Sequence, residues 1–227
     1  ADLDALMKRT CLRPIPTGKV TKNQALIFGL LTSVISVTAL YIFSNIVSAL
    51  MLSLTIFFYV VIYTMWLKPL TSQNIVIGGA AGAFPPIIGW TISTGSISLE
   101  PIILFLIIFV WTPSHFWALS LYKTEDYKNA KIPMLPITSG IKITKINIFI
   151  YSIVLFFVSI SPFLFNIFGL TYFLLSSILG TYYVYLCFKL FKSKESIDEK
   201  KLAKQIFVYS IFYLFLIFSI ILLDNII

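Results

Sequence analysis

The sequence predicts an all-α integral membrane protein, and three observations carry that prediction. Of its 227 residues 59% are hydrophobic and only 11% charged, with a mean hydropathy of +0.96. One soluble core has no use for so much apolar side chain. Seven stretches reach the roughly 20 apolar residues that a bilayer-spanning helix needs, and strand-like alternation is missing, which argues against a barrel.

In chain order the predicted spans are about 24–43, 46–67, 75–94, 101–121, 146–168, 170–191 and 205–223. All 17 Lys and Arg fall into four groups between them. Lys8, Arg9, Arg13, Lys19 and Lys22 open the chain, and Lys68 follows the second span. Lys123, Lys128, Lys131, Lys142 and Lys145 surround the fourth connection, and Lys189, Lys192, Lys194, Lys200, Lys201 and Lys204 precede the last span. Threading seven spans puts every group on one side. The opposite turns, around Phe43–Asn45, Ile92–Glu100 and Phe168–Gly169, hold no Lys or Arg. By the positive-inside rule the basic side is cytoplasmic, or the matrix side in an organelle, with a bacterial inner membrane favoured over a mitochondrial one. The net charge of +8 is therefore topology, and nucleic acid is not an expected partner. Cys11 and Cys187 stand in no metal-ligand spacing, and Cys11 falls on the reducing side. The opening residues lack the short apolar core of a signal peptide.

Two inner segments, residues 1–22 and 122–143, are long, charged and rich in Pro or Gly, as functional loops are. The mixed-charge stretch Lys192–Lys204 reads instead as a solvated connector. Residues 75–90, IVIGGAAGAFPPIIGW, combine small residues suited to close helix packing with Pro85 and Pro86, which break or kink a helix near mid-membrane. Tight packing with a bend and a cavity wall are both open readings.

The opening segment joins Asp2 and Asp4 to Lys8, Arg9 and Arg13, a composition suited to a magnesium-neutralised diphosphate. On a helix Asp4 and Lys8 share a face while Asp2 points away, so a partner carboxylate is expected four residues before Asp4, at the position preceding Ala1. An ordinary charged helix end is the competing reading. The second loop, YKTEDYKNAKIPMLPITSG, again sets Glu125 and Asp126 beside Lys123, Lys128 and Lys131. Two such clusters on one face can share a polyanion. Between them, YTMWLKPLTSQN offers Lys68 and Asn74 as diphosphate contacts, or Lys68 only as a topology marker. The lone histidine, His115, lies in WTPSHFWALS between Trp111 and Trp117; haem ligand, general base and packing residue all remain open for it.

DLDALMKRTCLRPIPTG, YTMWLKPLTSQNIVIGGAAGAFPPIIGW and WTPSHFWALSLYKTEDYKNAKIPMLPITSG resemble, in order, the signatures of the protohaem IX farnesyltransferases (haem O synthases), a branch of the UbiA superfamily of intramembrane prenyltransferases. The resemblance implies one UbiA-like domain over residues 1–227, a bundle of nine helices of which seven are present, with the first two missing before Ala1. It implies transfer of a farnesyl group from farnesyl diphosphate to a vinyl group of haem B, giving haem O for terminal oxidase assembly, with haem A synthase or that assembly as partners. It also implies magnesium held by Asp4, Asp126 and secondarily Asp2, with Asp4, Asp126 and Lys68 catalytic. Lys8, Arg9, Arg13, Lys68, Asn74 and Lys123 would grip the diphosphate, and Trp111, His115 and Trp117 would line the acceptor pocket. Departures from the pattern are Tyr122 where a carboxylate would complete the second acidic motif, Pro69 in place of Arg, Ser114 in place of Pro and Lys131 in place of Gly. A quinone-precursor prenyltransferase and a non-catalytic haem- or lipid-binding membrane protein are the alternatives.

Overall fold

The first long helix, α1 (Lys22–Phe43), starts on a capping box. The Thr21 hydroxyl accepts from the Gln24 N–H at 3.2 Å, and the Gln24 side chain accepts from the Thr21 N–H at 3.0 Å. Asn45 then caps α2 (Ile46–Phe57), accepting from the Ser48 N–H at 2.9 Å. In this computed structural model residues 5, 10–67, 70–71, 73–129, 134–194 and 196–224 are described, with backbone only at 126, 128, 129 and 196. Helix α2 continues as a π-helix over Phe58–Leu67, where the Thr64 hydroxyl reaches back five residues to the Tyr59 carbonyl at 2.7 Å. The third crossing divides at the prolines into α3 (Asn74–Ala83) and α4 (Pro85–Thr94). Phe84 keeps helical dihedrals, φ −69° and ψ −24°, so the break is a bend with lost hydrogen bonds and no change of direction by a loop.

Next come α5 (Leu99–Tyr122), the short α6 (Thr124–Asn129) and α7 (Leu135–Thr138), and then α8 (Gly140–Leu164), α9 (Leu170–Lys192) and α10 (Ser196–Asp224). The described residues contain no strand. Seven helices are long and apolar enough to cross a membrane, α3 and α4 counting as one and α2 with its π-helix as another. Helices α8 and α10 begin earlier than hydropathy places them. The reason is that Lys145 and Glu199 pair with each other, so both are drawn into helical packing.

Helices α5, α8, α9 and α10 form a four-membered ring of contacts, α5 to α8, α8 to α9, α9 to α10 and α10 back to α5. Inside it lie Ile107, Trp117, Ile148, Leu155, Tyr183 and Tyr213, each at most 1% exposed. Helix–helix association in lipid has no hydrophobic drive of its own, so small residues and interhelical hydrogen bonds must supply specificity. Both are present. A Cβ on Gly79 would stand 2.8 Å from Thr112 Cγ2, and one on Gly180 would stand 2.7 Å from the Phe156 ring. The Tyr213 hydroxyl donates to Ser159 Oγ at 2.7 Å, and the Tyr172 hydroxyl to the Ser159 carbonyl at 2.6 Å. By contrast α1 buries no residue and leans on α2.

Contacts between elements define two ends. At the charge-poor end Asn45 Nδ2 donates to the Thr91 carbonyl at 2.7 Å. There too the Asp224 carboxylate accepts from the N–H groups of Gly169 at 2.7 Å and Tyr172 at 3.2 Å. At the other end Lys145 binds the Ser193 carbonyl at 2.8 Å and the Glu199 carboxylate. Lys145 is 7% exposed, so this lysine and glutamate are packing elements. The Lys192–Lys204 stretch is therefore not the wholly solvated connector that its composition predicts.

Candidate functional site

The sequence-predicted diphosphate residues belong to the charge-rich end, and the structure describes some of them. Asp2, Asp4, Lys8, Arg9 and Lys68 lie outside the described residues, and Asp126 is described by its backbone only, within α6. Arg13 is exposed in a turn where its carbonyl accepts from the Thr17 N–H at 3.1 Å and hydroxyl at 2.9 Å. Lys123 caps the end of α5, its N–H bonded to the Leu119 carbonyl at 2.9 Å, with Nζ 5.0 Å from the centre of the Tyr122 ring. Thr124 joins α5 to α6 without a gap, because its hydroxyl bonds back to the Ser120 and Leu121 carbonyls, both at 2.9 Å.

Asn74 opens α3 and is 3% exposed. Gly79 abuts Thr112, so counting five residues back along α3 and five forward along α5 sets Asn74 level with the turn around Trp117, about 7.5 Å inside the end of α5. Its Oδ1 is buried without a hydrogen-bond partner among the described residues. Such an orphan acceptor is costly unless a donor or cation meets it. Magnesium prefers oxygen donors, so the chemistry of the predicted ligands, the carboxylates of Asp2, Asp4 and Asp126, fits that ion, and Asn74 adds a further oxygen in the predicted diphosphate region. The π-helix borders this region. A Cβ on Gly78 would stand 2.5 Å from the Tyr63 ring, and the extra residue per turn swings Tyr63 against α3. Nothing in the sequence signals that π-helix.

The aromatic candidates separate. The His115 ring stacks on Trp111 with centroids 4.2 Å apart and on Phe207 at 4.7 Å, and meets Phe116 edge-on at 5.1 Å. Its Nδ1 lies 2.6 Å from Ser210 Oγ, while the Trp111 indole N–H donates to the Ser210 carbonyl at 2.8 Å. The Ser210 hydroxyl also contacts the Phe207 carbonyl at 2.7 Å. A carbonyl only accepts, so the single hydroxyl proton goes there. Nδ1 must then donate to Ser210, which assigns the imidazole proton to Nδ1 and leaves the lone pair on Nε2. Trp117 is elsewhere, 0% exposed and edge-on to Tyr151 at 5.3 Å. Its indole faces are enclosed in the bundle, so its placement gives no support to a role lining an acceptor pocket. Ser114, where the resemblance leads one to expect Pro, donates to the Trp111 carbonyl at 3.0 Å and accepts the Tyr183 hydroxyl at 2.9 Å.

An apolar groove of about 640 Å³ runs between α1 and α2, lined among others by Leu26, Leu30, Val37, Ile56 and Val60. Its size suits a small hydrophobic ligand. The groove was not legible in the sequence, where both helices read only as spans.

Comparison with known proteins shows the family and the fold. The protoheme IX farnesyltransferase of Pelagibacter ubique (strain HTCC1062) is 62% identical over 226 residues, covering 100% of the chain and 75% of that protein. That of Ehrlichia ruminantium (strain Gardel) is 52% identical over 225 residues, covering 99% and 75%. That of Parvibaculum lavamentivorans is 50% identical, covering 99% and 71%. A solved structure from work on digeranylgeranylglyceryl phosphate synthase in membranes superposes with TM-score 0.69 at 22% identity, over 98% of this chain and 77% of that one; at that identity it speaks for the fold alone. The sequence profile of the UbiA prenyltransferase family matches residues 1–220. With seven apolar helices, an acidic and basic end and relatives of this identity, the chain belongs to the UbiA prenyltransferase family.

Proposed function

We propose that the protein transfers a farnesyl group from farnesyl diphosphate to a vinyl group of haem B, giving haem O. The observation that carries this reading is the likeness, along the whole chain, to bacterial proteins named for that activity. The apolar groove between α1 and α2 suits the farnesyl tail, and the charge-rich end suits the diphosphate.

In this mechanism Lys8, Arg9, Arg13, Lys68 and Lys123 neutralise the oxygens of the leaving group, the electrostatic contribution that usually dominates such chemistry. Asn74 offers an amide oxygen at the edge of the same region. Asp4, Asp126 and secondarily Asp2 are the residues that would hold magnesium, which as a bound Lewis acid offsets the charge of the departing diphosphate. As the carbon–oxygen bond to diphosphate breaks, the allylic cation is captured by the vinyl carbon; water then adds to the cation left on haem, giving a hydroxyl and releasing one proton to solvent. Trp111, stacked on His115, is the ring that would shield a cation by a π face in this reading. His115, with Nε2 as acceptor, would take a hydrogen bond from water or the acceptor.

The charge-rich end faces the cytoplasm of a bacterial inner membrane in this reading, and the product passes to haem A synthase or terminal oxidase assembly. The test is acceptor choice. Membranes carrying the protein, incubated with farnesyl diphosphate and either haem B or 4-hydroxybenzoate, should release diphosphate and prenylate only haem B. Prenylation of 4-hydroxybenzoate instead would reassign the acceptor, and diphosphate release with neither would remove the proposal.

A further inference from the structure

We propose that α9 and α10 form a binding site for an anionic phospholipid, separate from the diphosphate site and from the groove between α1 and α2. One depression lies at the junction of these helices, and a second lies beside it on the face of α9. The first, of about 460 Å³, is lined by Tyr182, Leu186, Lys201, Lys204, Val208 and Phe212 among others. The second, of about 510 Å³, is lined by Ser177, Ile178, Thr181, Tyr182 and Tyr185. Tyr182 borders both, so the two adjoin at its ring and together form a track.

The residues along this track follow helical spacing. On α9, Ile178, Tyr182, Tyr185 and Lys189 fall on one stripe; on α10, Lys201, Lys204, Val208 and Phe212 fall on another. Both stripes carry their lysines at the same end and apolar side chains beyond. Lys189 Nζ lies 4.9 Å from the centre of the Tyr185 ring, and Lys204 Nζ 5.8 Å from that of Tyr122. Neither Lys201 nor Lys204 forms an ion pair among the described residues, in contrast to Lys145. Ile178, Tyr182, Val208 and Phe212 are between 41% and 66% exposed, so the track opens away from the bundle core.

Its dimensions choose the occupant. From Lys201 to Phe212, and from Lys189 to Ile178, the stripes extend 11 residues, about 16 Å along each axis. Half of a hydrocarbon core of roughly 30 Å is about 15 Å, the depth of one leaflet. A lipid of that leaflet places its phosphate at Lys201 and Lys204 and an acyl chain along Tyr182, Val208 and Phe212. Basic pockets between membrane helices recognise anionic headgroups through the same combination. A soluble phosphate uses only the lysine end of such a site.

Native mass spectrometry of the purified protein, supplied with phosphatidylglycerol or phosphatidylcholine of identical acyl chains, tests this. The intact protein should retain phosphatidylglycerol at least about tenfold more than phosphatidylcholine. Lys201→Ala/Lys204→Ala should reduce the ratio to about one with an unchanged melting temperature, whereas Lys192→Ala/Lys194→Ala, which removes the same charge, should keep it. Equal loss in both double variants would show a diffuse charge effect and overturn the site. Displacement of the lipid by equimolar inorganic phosphate would show that the apolar track contributes nothing, and would overturn it equally. Retention is read without turnover, so its outcome is independent of which acceptor the enzyme prenylates.

Discussion

His115 and Ser210, 95 residues apart in sequence, meet through a 2.6 Å hydrogen bond that joins α5 to α10. Its direction follows from proton count, because the Ser210 hydroxyl gives its one proton to the Phe207 carbonyl at 2.7 Å. Ser210→Ala should strand the Nδ1–H in an apolar stack and cost about 1–3 kcal/mol in stability. Ser210→Thr should restore most of it. Unfolding in detergent followed by circular dichroism, alongside turnover, checks both; full activity and stability in the alanine variant would mean that the serine orients nothing.

Lys145 and Glu199 are bonded at the charge-rich end with side chains 9% and 15% exposed. Removing one partner leaves a nearly buried charge, whereas removing both does not. Glu199→Gln should destabilise by about 2–3 kcal/mol, below the range for fully buried pairs because the Glu199 side chain keeps 15% exposure. Lys145→Met/Glu199→Leu should recover most of that loss. Thermal melts of the two variants beside the unaltered protein check this, and a double variant less stable than Glu199→Gln would contradict it.

Gly79 and Gly82 sit one turn apart on α3, yet only Gly79 touches a neighbour. A Cβ at Gly79 meets Thr112 Cγ2 at 2.8 Å, while one at Gly82 has nothing within 4 Å. Gly79→Ala should therefore cost about 1–3 kcal/mol by forcing α3 from α5. Gly82→Ala should be neutral or slightly stabilising, since alanine favours helix. Comparable melting losses in both would contradict the packing described.

Asp224, at the end of α10, takes the orphan N–H groups of Gly169 and Tyr172 at the start of α9. Asp224→Ala should lower stability by about 1 kcal/mol through lost capping and lost charge at a helix N-terminus. Hydrogen exchange at the first turn of α9 should rise in that variant. Unchanged protection there would mean that water caps the helix as well as the carboxylate does.

How far the sequence reveals the molecule depends on the range of the interaction. Hydropathy locates the seven crossings, and Pro85 with Pro86 marks the bend between α3 and α4, because both effects are local. His115 is singled out by being the lone histidine, but its partner Ser210 carries no signal of its own, since a pairing across 95 residues leaves no spacing rule. Lys145 reads as a topology marker until Glu199 is beside it. Trp117 adjoins the histidine motif, yet two residues along a helix turn it by about 200° and into the core. Asn74 reads as a polar contact for the diphosphate, and only its burial exposes the unmatched oxygen.

The most direct measurement is haem O formation by membranes carrying the protein and its Asp126→Ala variant, supplied with haem B, farnesyl diphosphate and magnesium. Mass spectrometry of the extracted haem should show haem O with the unaltered protein. The variant should make at least about a hundredfold less, the loss expected on removing one principal electrostatic contact. Undiminished haem O from Asp126→Ala would contradict the diphosphate site, and no farnesylated haem from either would contradict the function itself.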